Sequence, residues 1–279
     1  MNDSLMKPIP LEDDFNDIVN KAMSGLRLTD KELSRRTGVS MEIIHGLCRG
    51  QLDETSLPRI APALELDPQA LLRSALKLYR PRPVEVEGLL MFTSLYRASM
   101  TVNAYVVFDP VTREAAVFDT STDALPIVDR IAELDLKPVS LFLTHTHPDH
   151  IAEADALKHR LGVTVRSSNR EPLPGSTPFE PGTVFPLGNL RVEARSTWGH
   201  SKGGTTYVIS GLEVPVAVVG DALFAGSMGG GMVSYPDALR TNREAIFRLP
   251  DDTVICPGHG PMSTLAEEKR HNPFYPEFK

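Results

Sequence analysis

The sequence has only two cysteines among its 279 residues. Cys48 and Cys256 lie far apart, so no disulfide framework is indicated and a reducing cytoplasm is the expected location. No apolar run approaches the roughly 18 residues that a membrane-spanning helix needs. The first residues also lack the basic start and apolar core of a signal peptide. These absences predict a protein without a membrane segment and without stabilising disulfides.

Positive charge is also scarce, with 29 Lys and Arg against 36 Asp and Glu and a net charge of −7. Residues 1–80 alone contain 11 basic and 12 acidic residues. Proteins that bind nucleic acid draw much of their affinity from contacts with phosphates. The charge balance therefore argues against nucleic acid and favours a small molecule as the partner.

Four candidate metal ligands follow an apolar, strand-like stretch within six residues: His145, His147, Asp149 and His150. Side chains two positions apart on an extended segment point the same way, so His145 and His147 are predicted to approach one ion. After Pro148 the chain must turn, which lets Asp149 and His150 reach a second point nearby. A lone histidine is seldom a ligand, but this density suits zinc, or iron or manganese.

Three more candidate ligands occur in loops, each at or just after a segment that is predicted to be a strand. His200 and His259 are flanked by glycine, and Asp221 follows Gly220 at the end of an apolar run. Loops at strand ends are where a rigid sheet presents reactive groups. Nearby polar residues that would orient ligand imidazoles are Asp119, Thr144 and Ser201.

The order of these motifs, His-x-His-x-Asp-His, Gly-His, Gly-Asp and Pro-Gly-His-Gly, resembles the metallo-β-lactamase superfamily from Val84 onward. The resemblance implies an α/β fold in which two sheets pack face to face between outer helices, the αββα sandwich. It also implies a cofactor of two divalent metal ions, with zinc favoured over iron or manganese. The implied ligands are His145, His147 and His200 for one ion, Asp149, His150 and His259 for the other, and Asp221 as a bridge.

Two aspartates are the catalytic candidates that this resemblance implies. Asp221 suits a bridging position because a carboxylate offers two oxygens to two ions. Asp149 is interpreted as a ligand first, with the orientation of water as a base left open. Two ions that share one hydroxide would provide a nucleophile near neutral pH.

The C-terminal segments Cys256–Thr264 and Glu268–Phe274 resemble the glyoxalase II branch, the hydroxyacylglutathione hydrolases. This implies a metal-dependent hydrolase of glutathione-type thioesters. The substrate-binding candidates are Lys202, Lys269, Arg270 and Asn272. Two loops depart from the pattern of this branch, one directly after His200 and one from Met228 to Asp237.

Other functions remain open at this point. An iron-dependent sulfur (persulfide) dioxygenase keeps similar ligand residues, and hydrolysis of a lactone or another ester would need the same chemistry. A different class of function is a metabolite-sensing regulator that binds DNA through its N-terminal part.

The chain is predicted to have two domains, a small all-α domain over residues 1–80 and the metal-binding domain over residues 81–279. Helices are expected at residues 30–37, 41–47, 56–64 and 67–77, in a pattern that resembles the helix-turn-helix of phage-repressor-like proteins. Two prolines between Tyr79 and Val84 indicate an extended connector. Because the small domain has no excess of positive charge for DNA, we expect it to pack near the mouth of the metal site or to form a homodimer.

Overall fold

Two six-stranded sheets packed face to face form the centre of the molecule. The computed structural model describes residues 9–97 and 100–279. The strands of the first sheet are β1 (Leu89–Tyr96), β2 (Met100–Phe108), β3 (Glu114–Phe118), β4 (Lys137–Phe142), β5 (Thr164–Ser168) and β6 (Thr177–Phe179). Those of the second are β7 (Val184–Leu187), β8 (Leu190–Ser196), β9 (Thr205–Ser210), β10 (Val216–Gly220), β11 (Val254–Pro257) and β12 (Ser263–Thr264).

Ten α-helices surround the sheets within the described residues. They are α1 (Phe15–Gly25), α2 (Asp30–Thr37), α3 (Met41–Cys48), α4 (Leu57–Ile60), α5 (Pro68–Ala75), α6 (Leu125–Glu133), α7 (Pro148–Ile151), α8 (Ala154–Leu161), α9 (Tyr235–Ala245) and α10 (Leu265–His271). Short 3₁₀ helices occupy Ala61–Leu64 and Pro276–Phe278. In the part of the chain that the structure describes, no helix is both long and apolar enough to cross a membrane.

Both sheets are mixed. The first has the order β1-β2-β3-β4-β5-β6, antiparallel up to β3 and parallel from there on. The second has the order β12-β11-β10-β9-β8-β7, in which only β10 and β11 are parallel. With helices on the outside, this architecture confirms the αββα sandwich that the sequence predicted.

Both faces of the first sheet are apolar at its central strands, because alternate side chains contribute to two different buried clusters. In β2, Tyr105 and Val107 belong to the cluster between the sheets, whereas Ala104 and Val106 belong to the cluster under the outer helices. Successive side chains of a strand point to opposite faces, so a strand that is covered on both sides reads as a continuous apolar run. The central strands are therefore fixed in place from both directions.

The N-terminal helices are packed onto the second sheet rather than standing apart from it. Ile18 of α1 and Leu47 of α3 belong to the same buried cluster as Val219, Leu239 and Phe274. This one cluster crosses the boundary predicted near residue 80. The apolar stripe of the small helical unit is therefore buried within the chain itself.

The four predicted N-terminal helices occur within about two residues of the expected bounds, and the one difference in form has a local cause. The helix expected over residues 56–64 is split into α4 and a 3₁₀ turn, since Pro62 lacks the N–H that a continuous helix would donate to the carbonyl of Pro58. No pattern in the sequence predicted α1 or three of the short strands, β6, β7 and β12. Short strands carry too few residues for a clear period.

Candidate metal centre

The first four candidate ligands follow β4 in a short loop that leads directly into α7. His145 and His147 lie in the loop, and Pro148 is the first residue of α7. Proline is favoured at this position because the first helical N–H has no partner within the helix. Asp149 and His150 are thereby placed on the first turn of α7, and both are buried.

The other three candidates come from the second sheet. His200 lies in the loop between β8 and β9, Asp221 directly follows β10, and His259 follows β11. All three meet the residues after β4 at one end of the sandwich. The seven side chains form two adjacent groups, His145, His147, His200 and Asp221 in one and Asp149, His150 and His259 in the other.

In the first group the nitrogens converge closely. The Nδ1 atom of His147 lies 2.9 Å from Nε2 of His145 and 3.1 Å from Nε2 of His200. The Oδ2 atom of Asp221 is 3.3 Å from Nε2 of His200 and 3.9 Å from Nε2 of His145. His147 and His200 are only partly buried, so this group is accessible to solvent from their side.

In the second group, Oδ2 of Asp149 lies 3.4 Å from Nε2 of His259 and 3.6 Å from Nε2 of His150. Asp221 also reaches this group, with Oδ2 at 3.3 Å from Nε2 of His259 and Oδ1 at 3.3 Å from Nε2 of His150. The Asp221 carboxylate thus lies between the two groups. This is the position that a bridging ligand requires.

These spacings fit metal ions. When four ligands surround an ion tetrahedrally with bonds near 2.0–2.1 Å, neighbouring ligand atoms lie about 3.3 Å apart. Among the described residues, Nε2 of His150 and Oδ1 of Asp221 are buried without a hydrogen-bond partner. Unpaired buried polar atoms are costly, and a cation bound to both would satisfy them.

The ring nitrogens that face away from the cluster are held by protein oxygens. The Nδ1 atoms of His150, His200 and His259 donate to Oδ2 of Asp119, the carbonyl of Gly230 and the carbonyl of Thr101, at 2.8, 2.9 and 2.5 Å. In a neutral ring, donation from Nδ1 leaves Nε2 without a proton and directed at the cluster. The protein therefore fixes the tautomer that a metal ligand needs.

Asp119 orients a second histidine through Thr144. The Thr144 hydroxyl donates to Oδ2 of Asp119 at 2.7 Å and lies 3.0 Å from Nδ1 of His145. Since its single hydrogen is used by Asp119, the hydroxyl accepts from His145. Asp119 and Thr144 thus contact ligand imidazoles, whereas Oγ of Ser201 is buried without a partner among the described residues.

One glycine is required by the close packing around the cluster. A Cβ atom added at Gly258 would lie 2.2 Å from Oδ1 of Asp221 and 2.6 Å from Cε1 of His150. Both contacts are shorter than van der Waals separation, so any larger residue would displace a ligand side chain. The glycine before His259 thus admits the Asp221 carboxylate to the space between the groups.

The charges within the cluster explain its protonation. Burial opposes charging of His150, but the carboxylates of Asp221 and Asp119 outweigh it and raise its pKa to about 10. Burial likewise opposes charging of His259, yet Asp221 and Asp149 raise its pKa to about 11. Burial and neighbouring histidines instead lower the pKa of His145 well below its usual value.

We expect metal binding to the stripped protein to release roughly two protons at pH 7. His150 and His259 are protonated at this pH without metal, because their pKa values are raised to about 10 and about 11, whereas a metal ligand must be neutral. Apparent metal affinity should therefore increase with pH. In the metal-free protein, the stability from these two charges is complete below the unfolded pKa near ~6.5 and is lost as pH rises through the folded values.

Isothermal titration of the stripped protein in buffers of different ionisation enthalpy measures this release. A binding enthalpy that does not depend on the buffer would contradict the assignment of both histidines as ligands.

The structure does not bring the predicted substrate-binding residues together at the cluster. Lys269 pairs with Asp251 and lines a separate cleft with Arg270 between α5 and α10. Asn272 is fully buried and donates to the Ser227 carbonyl at 2.6 Å, so it has no surface to offer a substrate. Lys202 is exposed in the loop after His200 and is the one candidate of the four beside a predicted ligand.

The residues that the sequence analysis missed lie in the N-terminal segment. The carboxylate of Glu12 is close enough to His259 and Asp221 for their charges to act on its pKa. Asp13 accepts from Ser227, the residue directly before the loop that departs from the glyoxalase II pattern. No motif pointed to these residues, because almost the whole chain separates them from their neighbours.

A sandwich that collects five imidazoles and two carboxylates at one end of its strands suits an enzyme that uses divalent metal ions. The model of the metallo-beta-lactamase superfamily matches residues 99–259, and the chain belongs to this superfamily.

Similar proteins point in the same direction. Hydroxyacylglutathione hydrolase GloC of Haemophilus influenzae is 32% identical over 187 residues, which cover 58% of this chain and 87% of the relative. The probable metallo-hydrolase YqgX of Bacillus subtilis is 26% identical over 198 residues, 62% of this chain and 91% of the relative. The crystal structure of ETHE1 from Myxococcus xanthus matches with a TM-score of 0.59 and 28% identity. The matched region covers 67% of this chain and 85% of the ETHE1 chain. The first two of these proteins are named as hydrolases, and each of these comparisons leaves about a third or more of the present chain unmatched.

Proposed function

We propose that the protein hydrolyses thioesters of the glutathione type with two divalent metal ions, zinc being favoured. The observation that carries this proposal is the convergence of seven ligand-type side chains in two adjacent groups that share the Asp221 carboxylate. The similarity to hydroxyacylglutathione hydrolase GloC supports the choice of thioester. The substrate is thus proposed to be a small molecule.

The proposed ligands are His145, His147 and His200 for one ion, Asp149, His150 and His259 for the other, and Asp221 for both. Bound divalent metals supply a water with a pKa near ~7 and polarise the acyl carbonyl. Asp119 keeps two imidazoles in the required tautomer, directly and through Thr144.

Covalent catalysis by cysteine is disfavoured by the same structure. Cys256 lies on β11 beside the site, is fully buried, and contacts the sulfur of Met262. Burial raises the pKa of its thiol, so it stays protonated and unreactive at neutral pH. Attack by water therefore accounts for the chemistry better than a thiol nucleophile does.

We expect the metal-loaded protein to release free thiol from S-lactoylglutathione with a kcat/KM above roughly 10⁴ M⁻¹ s⁻¹. A thiol-reactive dye follows the product, and the protein stripped with a chelator serves as the matched control. Failure to cleave this and other thioesters, with both ions bound, would refute the proposal.

A persulfide dioxygenase is the second candidate, favoured by the similarity to ETHE1 of Myxococcus xanthus. That reaction uses iron and consumes oxygen, so it is distinguished by an oxygen electrode with glutathione persulfide as substrate. Oxygen uptake by an iron-loaded protein that releases no thiol from thioesters would assign the chain to this second activity.

A further inference from the structure

Residues 10–13 of the N-terminal unit pack against the loop that carries the candidate ligand His259, and we call them the wall of the metal site. A Cβ atom added at Gly260, next to the candidate ligand His259, would lie 3.2 Å from the backbone nitrogen of Glu12 and 3.5 Å from the carbonyl of Pro10. The main chain before α1 therefore runs directly along the loop that carries His259. This contact joins two parts of the chain that are almost 250 residues apart.

The segment is fixed in place by its next residue. Oδ2 of Asp13 accepts from Oγ of Ser227 and from Nζ of Lys21, both at 2.5 Å. Nζ of Lys21 also donates to the carbonyl of Met228 at 2.9 Å and lies 5.1 Å from the centre of the Phe224 ring. The Phe224 ring in turn contacts the edge of His259, with ring centres 5.6 Å apart.

Within the described residues, Glu12 is the one charged side chain of this wall that has no partner. Among the described residues its carboxylate has no hydrogen bond and no salt bridge, although it is about half buried. Burial raises its pKa to about 7, the charges of His259 and Lys21 lower it, and the charges of Asp13 and Asp221 raise it. Two bound divalent ions would favour its ionised form.

The charge of Lys21 lowers the pKa of Glu12, but its ammonium group donates to Asp13 and to the Met228 carbonyl rather than to Glu12. A half-buried carboxylate with a free face attracts a cation and repels an anion that enters the site. A bound substrate would supply the partner that the protein lacks.

We propose that Glu12 determines specificity by pairing with an ammonium group on the thiol carrier of the substrate. This inference rests on the proposed thioesterase function, and it narrows the substrate class to thioesters of amine-bearing thiols. Glutathione, with one ammonium group, belongs to this class. The role of Glu12 is recognition, separate from the proposed metal ligands.

The test uses three small thiols that bind metals and differ in charge: cysteamine, 2-mercaptoethanol and 3-mercaptopropionate. Their dissociation constants are measured on the cobalt-loaded full chain through the thiolate absorption band, so the result does not depend on turnover. We expect Glu12→Gln to weaken cysteamine relative to mercaptoethanol by about tenfold and to strengthen mercaptopropionate. Glu12→Lys should reverse the order of preference. Glu42→Gln, an exposed glutamate on α3, is the matched control and should change nothing.

The same variants are then assayed with acetylthiocholine and with S-acetyl-3-mercaptopropionate, one cationic and one anionic thioester. The ratio of their kcat/KM values should fall by about tenfold in Glu12→Gln, less so at high salt. Equal changes for all probes, a ratio within twofold of the parent, or loss of metal from Glu12→Gln would each overturn the proposal. If the thiols follow the expected order but no thioester is cleaved, the thioesterase assignment fails while the role of Glu12 stands.

Discussion

Replacing Asp221 with alanine should remove most of the metal from the protein and lower its activity by roughly a thousandfold or more. Its carboxylate is the only side chain that lies within 3.3 Å of candidate ligands in both groups, among the residues that the structure describes. Without it neither ion retains its full set of ligands. The charges of His259 and His150 hold the pKa of Asp221 well below its usual range despite burial, so the alanine variant also leaves two buried imidazolium groups without their main partner.

The stability of the metal-free variant provides an independent readout. Removing one member of a buried charge network costs about 3–5 kcal/mol, which denaturant unfolding of the stripped proteins would detect. Asp251→Ala is a suitable control, since this aspartate is exposed and pairs with Lys269 on another face. Full metal content and full turnover in Asp221→Ala would show that the bridging assignment is wrong.

Deletion of residues 1–80 should leave the remaining chain aggregated or only partly folded. The cluster that contains Ile18 and Leu47 continues into Val219, Leu239 and Phe274 on the second sheet and its helices. The deletion would expose this apolar face to water, and large exposed apolar patches promote association. Loss of the Asp13 contact to Ser227 would also release the loop beside the metal site.

A single substitution probes the same interface more gently. A Cβ atom at Gly25 would lie 2.2 Å from Cγ of Tyr235, so Gly25→Ala must push α1 away from α9. We expect it to reduce the free energy of unfolding by about 1–3 kcal/mol. Gly46→Ala in α3, where the added methyl meets mainly the flexible end of Gln51, should be neutral or stabilising.

For the deletion of residues 1–80, a soluble, monomeric, metal-binding fragment of residues 81–279 with cooperative unfolding would contradict the expected dependence of the metal-binding part on the N-terminal helices.

The residues of the candidate metal site could be predicted because they occur in short, recognisable motifs of the sequence. His145, His147, Asp149 and His150 lie within six residues, directly after an apolar strand, and His200, Asp221 and His259 each lie beside a glycine at the end of a strand. Metal chemistry requires particular side-chain types at short spacing, so the sequence carries the signal itself. The same holds for the predicted helices α2 and α3, whose caps Thr29 and Ser40 accept hydrogen bonds from the backbone N–H groups of Glu32 and Ile43.

The wall of the site could not be predicted because it depends on tertiary packing. Nothing local marks Glu12, whose proposed role follows from its approach to Gly260. The C-terminal motif shows the opposite case, in which a clear motif predicted a substrate contact that the structure does not contain. Its resemblance to the glyoxalase II branch suggested a substrate contact for Asn272, but the buried Glu268 and Asn272 instead hold the loop at Gly226 and Ser227. A motif records which residues occur together, and packing decides whether they touch the substrate or support the fold.

Elemental analysis of the full chain, purified without added metal and without chelator, tests the central claim most directly. The account predicts about two divalent ions per chain, and about two in Glu42→Gln, with most of this metal lost in Asp221→Ala. A single iron per chain, or a metal content that Asp221→Ala leaves unchanged, would contradict a dinuclear centre bridged by this carboxylate.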